Sequence, residues 1–97
     1  MEANGARGEV VAVLGGKERR LCLTLGALAE METALDCDGL QGLAERMRTL
    51  SARDLSVVLA ALLRGGGEQD LAGALGAAPV DPREAAEAVA KAFAAAT

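Results

Sequence analysis

The sequence predicts an α+β fold, mainly α, with an N-terminal β-hairpin packed on a small bundle of four to five helices. Three observations predict it. A Val-rich run, Glu9–Leu14, precedes the pair Gly15-Gly16, and the segment 18–23 follows it, the punctuation of a hairpin. Residues 21–32 change period: Leu21 and Leu23 alternate like a strand, then Leu25, Leu28, Met31 and Leu35 recur like a helix. Further on, Leu55, Val58, Leu59, Leu62 and Leu63 fall at i, i+3, i+4, i+7 and i+8, the strongest helical repeat in the chain.

The elements follow in order. Residues 1–7 are small and polar and are expected to fray. Glu9–Leu14 is Val-rich and reads as a strand, and 18–23 as its return. A two-residue or a four-residue loop fits the glycine pair, and the two registers send different side chains inward. A lone hairpin is marginal in water. It must therefore lie on the helices, pair with another chain, or both.

Thr24 caps the first helix, Leu25–Leu35, with Leu25, Leu28, Met31 and Leu35 as its apolar stripe. Asp38, with Gln41 three residues on, caps a second helix carrying Leu40, Leu43, Met47 and Leu50. Ser51 caps the third. Because Val57, Ala60 and Ala61 join its leucines, the third helix is apolar nearly all round. Such a helix is either central to the core or offers a second apolar face to a partner. Gly65-Gly66-Gly67 stops it. Asp81-Pro82-Arg83-Glu84 opens the last helix, whose stripe is Ala85, Ala88, Val89, Ala92, Phe93 and Ala96, with Phe93 as anchor. One domain over 1–97 results: hairpin 8–23, three-helix core 24–65, a linker 66–80 able to hold one short helix, and the C-terminal helix 81–96.

Composition narrows the function. Phe93 is the one aromatic residue among 97, so the core is built from Leu, Val, Met and Ala and is modest in area. Stability borrowed from a partner or from self-association is expected. The net charge of −4 repels phosphate backbones, and the basic cluster Lys17, Arg19, Arg20 reads as a solvated hairpin rim. Cys22 and Cys37 form no CxxC and have no histidine beside them, so free thiols in a reducing compartment are expected. The N-terminus lacks the apolar core of a signal peptide. The longest apolar run, 57–63, is far short of the roughly 20 residues of a membrane span. A soluble bacterial cytoplasmic protein, apart from membranes, is the expectation.

Catalytic chemistry is missing from the sequence. There is no histidine, the commonest general base and metal ligand. The pairs Glu30/Glu32 and Asp36/Asp38 are spaced i, i+2 and point apart. The triple glycine lacks the Lys-Ser/Thr of a phosphate loop. No catalytic residue, cofactor or metal ligand is expected, and the chain is read as no enzyme. The turn at 49–52, with Arg46, Arg48 and Arg53 near it, invites a helix-turn-helix reading. A reading helix needs a basic polar face, whereas this one carries Asp54, Ser56 and a late Arg64 among Val57, Ala60 and Ala61. A DNA-binding regulator is the least favoured reading.

The runs LCLTLGALAEMETAL, GLAERM and LSARDLSVVLAALLRGGG resemble the tail assembly chaperone family of gene transfer agents and tailed phages, a family also labelled a tail tube protein. The order of elements matches over about 8–96. Met31-Glu32-Thr33 departs from the plainer Leu-Glu-Ala run of that pattern and leaves the helix intact. The resemblance implies a non-enzymatic chaperone that binds and solubilises the helical tape measure protein while tail tube subunits assemble around it. The alternative it implies is a structural tail component retained in the particle. Self-association into a homo-oligomer fits either. The expected partner surface is the outer face of the third helix (Val57, Ala61, Arg64) and the hairpin edge (Val11, Val13).

Overall fold

Gly15 and Gly16 both take positive φ, 63° and 86°, the two-residue turn whose twist matches the flanking strands. That settles the register: β1 (Glu9–Leu14) pairs antiparallel with β2 (Lys17–Cys22), Leu14 opposite Lys17 and Val10 opposite Leu21. The computed structural model describes residues 8–77 and 79–96; the expected fraying of 1–7 lies outside them. Val10, Leu14 and Leu21 are buried, placing one face of the hairpin on the helices, as a marginal hairpin requires.

Five helices follow: α1 (Leu25–Leu35), α2 (Gly39–Met47), α3 (Ala52–Gly65), α4 (Gln69–Gly73) and α5 (Pro82–Ala96). The fold is mainly α with an N-terminal hairpin, as the sequence predicts. Thr24 Oγ1 accepts the Ala27 N–H at 3.0 Å, and Ser51 Oγ the Asp54 N–H at 3.1 Å, the two expected caps. Asp38 does not cap α2. Its side chain makes no capping bond, and the Glu32 carboxylate reaches over from α1 to take the Gly39 N–H. Asp36 closes α1 in the left-handed region at φ 53°, which turns the chain sharply enough to bring Gly39 under Glu32.

α3 runs through the centre, in contact with α1, α4, α5 and β2. All of Val58, Leu59, Ala60, Ala61, Leu62 and Leu63 are buried. Of the two readings of an all-round apolar helix, the central one holds. The Gly65-Gly66-Gly67 stop has a defined form. Glu68 N–H reaches Leu63 C=O at 2.8 Å and Gly67 N–H reaches Arg64 C=O at 3.1 Å, with Gly67 at φ 87°, the Schellman pattern. The first two glycines do more than end the helix. A Cβ on Gly65 would overlap the Cys22 carbonyl oxygen, and one on Gly66 the Arg20 carbonyl. The end of α3 therefore lies directly against the β2 backbone.

α5 starts as expected, the Asp81 carboxylate accepting the Arg83 N–H at 2.7 Å. Ala85, Ala88, Val89 and Ala92 are buried, letting α5 approach β1 closely. Two expected members of its stripe fall short. Phe93 is half-buried and Ala96 exposed, because the stripe turns away from the core in the last turn. Phe93 is a rim residue, not a fully enclosed anchor.

Candidate interaction surface

The hairpin edge, expected to be free for pairing, is occupied at its middle rung. Val11 and Arg20 are cross-strand partners that point their backbone groups outward. Arg20 N–H donates to Glu68 Oε2 at 3.0 Å, and Arg19 Nη1 lies 3.2 Å from Glu68 Oε1. On the other margin Lys91 Nζ donates to the Val11 carbonyl at 2.6 Å. One rung of the ladder is thus plugged from both sides, by a carboxylate after α3 and an ammonium on α5. Charged plugs of this kind keep a sheet edge from adding a strand. Val11 is half-buried beneath the arrangement, while Val13 remains 53% exposed.

The expected face of α3 does not assemble as a surface. Ala61 is 0% exposed, a correction to its expected outward position. Residues 58–63 of α3 are enclosed by neighbouring elements, and at Ala61 the alanine marks where a neighbour comes close, not where solvent begins. Val57 and Arg64 do share a shallow groove, with Glu30 and Ala34 of α1 and Ala72 and Gly73 of α4 on its walls. Val57 is half-buried there, and Arg64 is bound by Glu30. The bond to Glu30 holds the Arg64 guanidinium more firmly charged, against a smaller opposing effect of burial. An arginine so engaged is not free to greet a partner.

Apolar surface is uncovered elsewhere. Leu25 is 83% exposed and Leu40 57%. With Leu23, Thr24, Leu28, Phe93 and Ala96 they line one hollow between the start of α1, the start of α2 and the end of α5. Sequence reasoning put Leu25 and Leu40 inside, on helical stripes. Both stand at the first turn of their helices, where the core-facing row has not yet begun. The signal available was position: a leucine at the helix start, next to the cap, projects past the bundle.

Charge at one end of this hollow is negative. Glu32, Asp36 and Asp38 surround the α1–α2 turn, and among the described residues no lysine or arginine pairs with them. Arg46 is spent on Asp54 at 2.9 Å. The Cys37 thiol in this turn is pushed up, first by partial burial and then by these three carboxylates, with Arg46 opposing. Both cysteines are free. Among the described residues no cluster of acidic or thiol side chains is arranged to hold a metal ion, and no helix is long and apolar enough to cross a membrane.

A family model described as phage tail tube protein, GTA-gp10, matches residues 7–97. The chain belongs to this family. It is therefore a gene transfer agent or phage tail protein, in agreement with the resemblance carried by its LTLGALAE and RGGG runs. No curated protein and no solved structure matches it. Within this tail family, the chain's mostly helical build and plugged hairpin leave an apolar hollow carrying two exposed leucines, Leu25 and Leu40, beside an acidic turn.

Proposed function

We propose that this tail protein is a non-enzymatic assembly chaperone, binding and solubilising the tape measure protein during tail assembly in the bacterial cytoplasm. The observation that carries the reading is the hollow of Leu25, Leu28, Leu40 and Phe93. Large apolar side chains held in the open by a small acidic protein mark a surface made for another polypeptide. A client with long apolar helices is the kind that such a surface shields. The absence of histidine from the chain and the solvent-facing carboxylates accord with a binding role without chemistry. The site differs from the outer face of α3 first expected, since that helix is consumed by the fold's own core.

A second reading is a structural tail component that stays in the particle, as the family's description words it. Two strands with a plugged middle rung are little material for a β-rich ring, which weighs toward the chaperone. Mass spectrometry of purified particles separates the two. A chaperone is scarce or missing there; a tube component is abundant. Co-expression with a tape measure protein of the same tail system tests the first reading directly. The client becomes soluble with this chain present, and an unchanged client removes the reading. Contacts with tail tube subunits and assembly into a homo-oligomer are compatible with either.

A further inference from the structure

We infer that the hollow between the starts of α1 and α2 and the end of α5 receives an amphipathic helix bearing a lysine or arginine, with its apolar row on Leu25, Leu28, Leu40 and Phe93 and its cation at Glu32, Asp36 and Asp38. The inference rests on the chaperone reading only in taking another protein as the occupant. Three observations fix that occupant's chemistry.

First, strand addition is obstructed at the middle rung. Glu68 takes the outward N–H of Arg20 and Lys91 binds the outward carbonyl of Val11, and the end of α3 lies against the β2 margin at Gly65 and Gly66. A partner that docks by extending the sheet finds its middle rung taken. Helix-in-groove docking is the remaining mode that reads apolar anchors at i, i+3, i+4 and i+7, and the hollow is lined by leucines and Phe93 drawn from three helix ends.

Second, the turn beside Leu40 is acidic, and among the described residues its three carboxylates make no ion pair. Glu32 binds the Gly39 N–H, which anchors its carboxylate one residue from Leu40. Asp38 lies on the same turn and Asp36 closes α1. With Arg46 paired to Asp54, a cation on the incoming helix is the group that balances this end.

Third, a second copy is a poor occupant. The chain carries −4, and a copy would bring the same three carboxylates to the seam. Like charges brought together oppose such docking.

The test uses two synthetic helical peptides of about 18 residues, long enough to hold helix on a surface. Both carry leucines at i, i+3, i+4 and i+7; one ends in two lysines and the other in two glutamates at the same places. Each is titrated into the full-length chain at low salt and followed by amide NMR. The lysine peptide should bind and move the resonances of Leu25, Leu28, Leu40 and Phe93, the glutamate peptide binding about tenfold or more weakly. Asp36→Asn with Asp38→Asn should narrow that gap by about three- to tenfold, at the usual scale of exposed ion pairs. Equal binding of the two peptides, shifts confined to other residues, or no binding of either would overturn the inference. So would self-association that is lost in Leu25→Ser/Leu40→Ser. A chain that takes the lysine peptide yet leaves the tape measure protein insoluble upholds the groove and ends the chaperone reading. One that solubilises the client and ignores both peptides does the reverse.

Discussion

Glu68 Oε2 accepts the backbone N–H of Arg20 at 3.0 Å, and through this bond the residue that follows the glycine stop closes the margin of a strand 48 positions earlier. The same carboxylate holds Arg19. The end of α3, its stop signal and the outer edge of β2 are one construction, in which the glycines allow contact and Glu68 fastens it.

Glu68→Ala should therefore cost about 1–3 kcal/mol, the range for losing a hydrogen bond to a charged group that leaves a partly buried donor behind. Glu68→Gln should recover part of the loss, because its amide oxygen still accepts. Urea unfolding reads the stability, and hydrogen exchange at the Arg20 amide should quicken in the alanine variant well before global unfolding.

Gly66→Ala should destabilise by about 1–3 kcal/mol or more, since its Cβ meets β2 backbone that cannot swing aside. Gly73→Ala provides the contrast. A Cβ there meets open space, and alanine is the better helix residue by about 0.5–1 kcal/mol, so this variant should be neutral to stabilising. Equal effects at the two glycines in urea melts would contradict the close approach.

Ala61→Leu should cost about 1–3 kcal/mol by overpacking an enclosed site, whereas Val57→Leu, half-exposed on the same helix, should change stability by less than about 1 kcal/mol. Thermal melts of the two variants distinguish a central α3 from one with an open side. Phe93→Ala should fall below the roughly 3–5 kcal/mol of a fully buried phenylalanine, because its ring sits on a rim.

The boundaries of α1 and the starts of α3 and α5 were legible because their signals are local: Thr24, Ser51 and Asp81 cap within three residues of themselves. The glycine pair announced the turn, and its two positive φ values then fixed the register. What escaped the sequence depends on contacts distant along the chain. Leu25 and Leu40 fit a helical period, but a period does not say where the core-facing row begins. The buried row of α1 is Ala27, Met31, Leu35: it keeps the last two members of the expected stripe and puts Ala27 where Leu25 was expected, with Leu28 half-buried. Ala61 is apolar on either reading of α3, and only the surrounding elements decide that it is enclosed. Glu32 displaced Asp38 as the cap of α2 because the left-handed Asp36 folds the chain back on itself. Nothing in the spacing of Glu68 and Arg20 pointed to their bond.

The pair Leu25→Ser and Leu40→Ser gives the most direct trial of the central claim, that this chain's uncovered leucines hold another protein. Exposed side chains that pack on little should leave stability within about 0.5 kcal/mol each, so a loss of function cannot be laid to unfolding. With the tape measure protein co-expressed, the unaltered chain should keep the client in the soluble fraction and the doubly substituted chain, equally folded, should not. Client solubility that is the same with both chains would contradict the account.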